Sequence, residues 1–345
     1  MKNVKSIWYA GLIKANPWLF LPNEKVLNYI KYKLLKKTIK LDRIKYTPVV
    51  VFFNISRRCN LKCSFCCIGA ELNKNEWRKQ ETSLRDIKEI FEQDTFRKAL
   101  YINLVGGEPT INKDIVPIVK FLKSRRHLVS IITNGYKLAE LWPNLKAAGL
   151  DGINVSLYDE NETLLYNTLP QVTPHFLVKL CKVLNREIFS NPEPISQTME
   201  LAVKSGCKAV FFQNTIPTFN AKANLDEHVI YDDRHEEFER IKVIFEEKYP
   251  NICIYWPQLV KLNGHRKTTC RMPWYSAFAD HHGNIGYCCH SNMRLGDSIL
   301  GRPEQEIANN DFWTNIREGL IDETKPLAEP CQGCYIAHDT YNGTV

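Results

Sequence analysis

The sequence predicts an α/β fold, a partial (βα)6 TIM-like barrel followed by a small cysteine-rich C-terminal domain. Two observations predict it. From residue 49 onward, short β-branched runs alternate with longer amphipathic stretches, the pattern of repeated βα units. The crowded cysteines also fall into two groups, Cys59, Cys63, Cys66 and Cys67 early and Cys270, Cys288, Cys289, Cys331 and Cys334 late. A chain of 345 residues that is 44% hydrophobic can bury one large catalytic domain and an appendage.

Residues 1–48 come first and are strongly basic, with 11 Lys/Arg against 2 Asp/Glu. The rest of the chain carries 35 basic and 36 acidic side chains, so the body offers no charge-based case for a nucleic-acid partner, and none is expected. Within this extension, residues 24–46 read as a helix with Val26, Leu27, Ile30, Leu34, Leu35 and Ile39 roughly on one side. Such a helix covers the open end of a barrel with its lysines in water, which is the expectation here, or it lies on a membrane surface.

The barrel proper is expected over residues 49–250. Its strands are Val49–Ile55, Ala99–Val105, Leu128–Thr133, Gly152–Tyr158, Phe176–Val183 and Lys208–Asn214. Helical patterns at Leu84–Phe91, Ile115–Ser124, Leu138–Ala148 and Ile195–Ser205 supply right-handed crossovers. The working face then lies at the C-terminal strand ends. A loop-like stretch, Ile216–Asp233, precedes a charged helix, His235–Lys248, and residues 251–345 open with a further strand, Ile252–Trp256.

No run of about 18 apolar residues and no secretory leader pattern is present, so a cytoplasmic location is expected. In a reducing compartment, closely spaced thiols are metal ligands more often than disulfides. Cys181, Cys207 and Cys253 stand alone and are expected to be small buried apolar groups.

The first strand leads into Cys59-Asn-Leu-Lys-Cys63-Ser-Phe-Cys66. Three thiolates on one short loop can hold three corners of an iron–sulfur cubane and leave the fourth iron open. A structural zinc site would need a fourth ligand, and Cys67, adjacent to Cys66, is poorly placed to complete a tetrahedron.

This Cys-x3-Cys-x2-Cys loop, with the aromatic Phe65 before the third cysteine, resembles the radical S-adenosylmethionine (radical SAM) superfamily. The resemblance implies that Cys59, Cys63 and Cys66 bind a [4Fe–4S] cluster. Its open iron chelates the methionine end of S-adenosylmethionine, and an electron cleaves the cofactor to a 5′-deoxyadenosyl radical. It further implies cofactor contacts from Phe65, from Gly106-Gly107-Glu108-Pro109 after strand two, from Asn134 in Thr133-Asn134-Gly135 after strand three, and from Ser156 on strand four. A reductant such as flavodoxin or ferredoxin would supply the electron. Relatives in the peptide-modifying branch often carry an arginine soon after the strand-four serine to pair with the methionine carboxylate, whereas Asp159–Gln171 holds none; Lys179 and Lys182 on strand five are the candidate substitutes.

In the late group, twelve residues separate Cys270 from Gly283 and four separate Gly283 from Cys288. The spacing resembles the SPASM and shorter twitch domains of the same superfamily. The resemblance implies a second [4Fe–4S] cluster on Cys270, Cys288, Cys331 and Cys334, in the single-cluster twitch form. Zinc on the same four thiols is the alternative.

The function expected is hydrogen abstraction from a small polar metabolite of sugar or aminocyclitol type, giving dehydrogenation or epimerisation in natural-product or cofactor biosynthesis. Modification of a ribosomally made peptide is the alternative, and a non-catalytic iron–sulfur or zinc protein a second. The catalytic residues are not assigned by the sequence. His282, Tyr287 and His290 are candidates for proton exchange, with His281, Gln213, Asn214 and Asn220 as further substrate-facing positions.

Overall fold

Alternation along the first strand sets the architecture. In β1 (Val50–Ser56), Val51, Phe53 and Ile55 are completely buried while Phe52 and Asn54 point the other way. The computed structural model describes residues 12, 14–35, 43–63, 66, 81–215, 228–260, 270–280, 284–286, 288, 309–328 and 331. Among these, the strands β1, β2 (Tyr101–Gly106), β3 (Leu128–Thr133), β4 (Gly152–Ser156), β5 (Leu177–Leu184), β6 (Ala209–Asn214) and β7 (Cys253–Tyr255) pair in sequence order, every pair parallel. β8 (Ser276–Asp280) pairs parallel with β1, and β9 (Ile285–Gly286) pairs antiparallel with β8. The expected α/β partial barrel is thus present, with all six anticipated strands within two residues of their positions. Residues beyond 250 contribute β7 to one edge of the sheet and β8 and β9 to the other.

The crossover helices cover the outer face. α2 (Leu84–Ile90) starts on a capping box between Ser83 and Asp86. α3 (Ile115–Ser124) and α4 (Leu138–Ala147) follow β2 and β3, and α6 (Glu193–Ser205) ends on Gly206 in the left-handed conformation. α7 (His235–Lys248) buries Phe238 and Phe245 against Trp256.

α5 (Glu162–Val172) was not among the expected helices. Its buried stripe is Leu165, Thr168, Leu169 and Val172, correctly spaced for a helix, but a threonine interrupts the apolar signal and Pro170 lies inside the last turn. The C-terminal α8 (Asp311–Ile321) carries no clean apolar period for a similar reason, since its inner face mixes Trp313, Ile316 and Leu320 with Thr314, Arg317 and Gly319.

The basic extension departs most from expectation. α1 (Glu24–Leu35) does not bury its apolar side. It packs inward with Lys25 (5% exposed), Asn28 (6%), Tyr32 and Leu35, while Leu27, Ile30 and Leu34 face out. The reversal is held by polar contacts. Asn28 Nδ2 donates to the carbonyls of Thr47 (3.1 Å) and Lys98 (3.3 Å), Thr47 N–H donates back to Asn28 Oδ1 (3.0 Å), and Tyr32 packs on Tyr46 and Tyr275. Thr47, Lys98 and Tyr275 precede β1, β2 and β8, so α1 lies across the N-terminal strand ends, opposite the cysteine loop. Residues 36–42 lie outside the described residues.

Candidate metal and cofactor site

β1 ends where the cysteine loop begins, and the neighbouring strand end grips that junction. Gly107 N–H donates to Ser56 O at 2.6 Å and Glu108 N–H to Arg58 O at 2.7 Å, one residue before Cys59. The contact needs both glycines. A Cβ at Gly106, whose φ is +149°, would fall 2.1 Å from Ser56 O, and one at Gly107 would fall 2.1 Å from Arg58 O. The two glycines thus permit close approach to the root of the cysteine loop.

Glu108 is 1% exposed and its carboxylate is fully engaged. Oε1 accepts from Thr110 N–H (3.0 Å), Thr110 Oγ1 (2.5 Å) and Thr133 Oγ1 (2.7 Å), and Oε2 accepts from Asn134 N–H (2.7 Å). The side chain therefore ties the end of β2 to the end of β3. Asn134 continues the chain of contacts, donating from Nδ2 to Asn60 Oδ1 inside the cysteine loop at 2.8 Å.

Two further asparagines complete the frame, and the sequence reading missed both. Asn161, completely buried, donates to Asn134 O (2.7 Å) and Ser156 O (2.8 Å) and accepts from Tyr158 N–H, joining the ends of β3 and β4. Asn112 donates to Ile55 O and Thr82 O, both at 2.9 Å, bracing β1 beneath the loop. Buried amides outside any motif leave no periodic or spacing signal, which is why they escaped notice.

Cys59, Cys63 and Cys66 act on one another electrostatically. Burial pushes the Cys63 thiol up to about 11, with Cys66, Cys59 and Glu160 adding to the rise. Burial also raises Cys59, with Glu108 and Cys66 adding and the Leu61 N–H opposing. Thiols that resist ionising together call for a positively charged group to hold them as thiolates. Among the described residues, no three His, Cys, Asp or Glu side chains converge as on a single ion. Three thiols on one loop, near enough to act on one another, can hold three corners of a cubane and leave its fourth iron open. Tyr158 is beside them: burial raises its hydroxyl, Ser156 hydrogen-bonds it, and all three cysteines act on it.

Below the loop, the inward faces of the strands make a wall of mixed polar and apolar side chains. Asp280, Asn54 and Val105 are in register across β8, β1 and β2. Asn154, Lys179, Ala209 and Cys253 are in register across β4 to β7, and two residues further along each strand come Ser156, Cys181, Phe211 and Tyr255. Asn54 Oδ1 is buried with no hydrogen-bond partner. Arg57 lies 3.8 Å from Asp280, and Lys182 pairs with Asp159 at 2.8 Å. Lys179 stands over the Tyr255 ring and is held below the usual lysine range by burial. Of the two candidate lysines, Lys182 is thus engaged at the rim and Lys179 lies within the wall.

Gln213 is exposed at the end of β6, whereas Asn214 is buried and bonds Ile230 and Gln258 through its side chain. Cys207 and Cys253 are buried as expected, and Cys181 is half-buried. Of the late cysteines, Cys288 and Cys331 are buried and Cys270 half-buried at the start of the turn leading to β8. Phe65, Cys67, Asn220, His281, His282, Tyr287, Cys289, His290 and Cys334 lie outside the described residues.

Comparison with known proteins places this geometry. A family model described as the radical SAM superfamily matches residues 53–223. A probable GTP 3′,8-cyclase of Pyrococcus abyssi is 28% identical over 60% of this chain and 71% of its own length. The molybdenum cofactor biosynthesis protein 1 of Drosophila melanogaster is 41% identical over 30% of this chain and 19% of its own. The chain thus spans from 19% to 71% of these two curated relatives. In fold, it is similar to Streptococcus suis SuiB bound to S-adenosylmethionine, with TM-score 0.65 at 14% identity over 97% of this chain and 82% of that one. It is also similar to BtrN in complex with AdoMet and 2-DOIA, with TM-score 0.50 at 14% identity over 86% and 94%. Among the described residues, no helix is long and apolar enough to cross a membrane.

Proposed function

The chain belongs to the radical SAM superfamily, and from that premise we propose that it abstracts hydrogen from a small polar metabolite of sugar or aminocyclitol type, leading to dehydrogenation or epimerisation. S-adenosylmethionine and a [4Fe–4S] cluster are its cofactors; together they supply reductive carbon–sulfur cleavage and the hydrogen-abstracting radical. The observation that carries the substrate class is the polar part of that wall, Asp280, Asn54, Asn154 and Lys179 on the inward strand faces. Hydroxyl and amino groups find both donors and acceptors there, including the spare Asn54 Oδ1.

In this reading Cys59, Cys63 and Cys66 hold the cofactor-cleaving cluster, and Cys270, Cys288, Cys331 and Cys334 hold an auxiliary one. Gly106 to Pro109, Asn134, Ser156 and Phe65 shape the cofactor pocket. Lys179 orients the substrate from the wall. His282, Tyr287 or His290 exchanges the substrate's proton, and a flavodoxin or ferredoxin delivers the electron.

A purine nucleotide is the second reading, favoured by the identity to a probable GTP 3′,8-cyclase. A triphosphate needs surplus positive charge, however, and among the described residues the cations Arg57 and Lys182 already face Asp280 and Asp159.

The test is anaerobic reconstitution with iron and sulfide, dithionite and S-adenosylmethionine, followed by chromatography for 5′-deoxyadenosine. About eight irons per chain are expected, and Cys59, Cys63 and Cys66 replaced together by alanine should leave about four and no cleavage. Deuterium passing from labelled aminocyclitols or sugars into 5′-deoxyadenosine supports the proposal. Transfer from labelled GTP instead, or cleavage that survives the triple replacement, overturns it.

A further inference from the structure

Of the ten most exposed large apolar side chains among the described residues, five lie within residues 20–34: Phe20 (73% exposed), Leu21 (54%), Leu27 (50%), Ile30 (44%) and Leu34 (71%). Leu27, Ile30 and Leu34 fall at i, i+3 and i+7, one stripe along α1, and Phe20 and Leu21 lie just before its first turn. The stripe is not a loosely docked core face. α1 is fixed from its other side by Asn28 on the Thr47 and Lys98 carbonyls and by Tyr32 against Tyr46 and Tyr275. Exposing the apolar side is therefore how the helix is built.

The charge around the stripe has one sign. Lys31 and Lys33 flank it and are exposed, while Glu24, the acid of the helix, is engaged by Lys25 and Arg97. The surplus of nine positive charges in residues 1–48 equals more than the whole net charge of +8, the remainder of the chain being nearly neutral.

We propose that α1 docks the protein on an anionic lipid surface, with Phe20, Leu21, Leu27, Ile30 and Leu34 entering the headgroup boundary and the flanking lysines meeting lipid phosphates. Apolar anchors and cationic flanks on one exposed helix face are what interfacial binding requires. A purely electrostatic partner such as nucleic acid would leave the leucines and phenylalanine in water without benefit. Because α1 crosses the N-terminal strand ends, docking there leaves the cysteine loop, at the opposite ends, open to soluble substrate and reductant.

The experiment is flotation of the full reconstituted chain with vesicles of phosphatidylcholine alone and of phosphatidylcholine with about one third phosphatidylglycerol. The protein should float with the anionic vesicles and remain at the bottom with the neutral ones. Replacing Leu27, Ile30 and Leu34 together by serine should weaken partitioning roughly tenfold or more, with iron content and thermal midpoint unchanged because the three side chains touch no core. Lys31→Gln and Lys33→Gln should each cost about fivefold. No flotation, equal flotation of the triple variant, or release by excess duplex DNA overturns the proposal. So does a dimer in light scattering that the triple variant abolishes, since a second copy would then cover the face.

Discussion

The side-chain amide of Asn134 donates to Asn60 Oδ1 at 2.8 Å, joining the end of β3 to the middle of the cysteine loop. Asn134 has three other attachments: its N–H on Glu108, its carbonyl accepting from Asn161, and its Oδ1 accepting from Tyr136 N–H. The loop is thus positioned by a strand end that is itself fixed. Asn134→Ala removes the tie and the Tyr136 N–H contact, and leaves the two backbone contacts, to Glu108 and Asn161, in place. A neutral hydrogen bond of this kind contributes about 1 kcal/mol, so a stability change near that size is expected. Deoxyadenosine formation should fall roughly five- to tenfold with iron content nearly kept, because a corresponding barrier increase of about 1 kcal/mol acts on cluster position. Wild-type cleavage in the variant would show that the loop holds its geometry alone.

Glu108→Gln tests the buried hub. The carboxylate accepts four hydrogen bonds and donates none, whereas an amide must turn its NH2 toward at least one N–H donor. The hydroxyls of Thr110 and Thr133 can rotate to accept, but the backbone N–H groups of Thr110 and Asn134 cannot. A loss of about 1–3 kcal/mol is expected, read as a lower urea midpoint with unchanged slope. An unchanged midpoint would mean that these four contacts contribute nothing net.

Gly107→Ala should be far more costly than Gly149→Ala. At Gly107 the added methyl meets the Arg58 carbonyl at 2.1 Å, and neither backbone can retreat without breaking the Glu108 to Arg58 hydrogen bond. At Gly149 it meets only the Lys123 side chain at 3.4 Å, so the cost there is the left-handed backbone, with φ at +88°. About 1–2 kcal/mol is expected at Gly149 and more than about 3 kcal/mol at Gly107. Comparing the two thermal midpoints checks the ranking, and a Gly107 variant as stable as the Gly149 one would refute the close-approach argument.

What could be read from the sequence was whatever had a period or a spacing. Val51, Phe53 and Ile55 repeat every second residue and were legible as a strand; Ile115, Ile118, Val119 and Leu122 repeat at helical spacing and were legible as a crossover. The cysteine loop was legible because its chemistry is local. α5 was not, because Thr168 in its buried stripe and Pro170 in its last turn obscure the pattern. α1 was read with the right period and the wrong orientation. Periodicity reveals that a helix has two faces, but the choice of inner face was decided by Asn28, whose partners Thr47 and Lys98 are 19 and 70 residues away. Asn112 and Asn161 were illegible for the same reason: each acts through backbone carbonyls brought close only by the fold.

His127 gives the fold a pH dependence of definite sign. The ring is 1% exposed, its Nδ1 lies 2.8 Å from Ala99 O, and the edge of Phe91 packs against it. An acceptor-only carbonyl at Nδ1 requires the proton there, so the neutral tautomer is the one the fold holds. Burial pushes its pKa from 6.5 down to about 3, with the positive charges of Lys25, Lys123 and Arg125 adding to the fall against the Ala99 hydrogen bond. Between about 6.5 and 3 the unfolded chain therefore binds a proton that the folded chain refuses, and stability rises with pH across that window and is lost as pH drops. From pH 7 to pH 5.5 the loss through this one group should be about 1 kcal/mol. His127→Gln removes the titration while keeping a donor for the carbonyl. Urea midpoints of the variant and the wild type at those two pH values should differ by less at pH 5.5 than at pH 7. An identical fall in both proteins would place the acid sensitivity in groups other than His127.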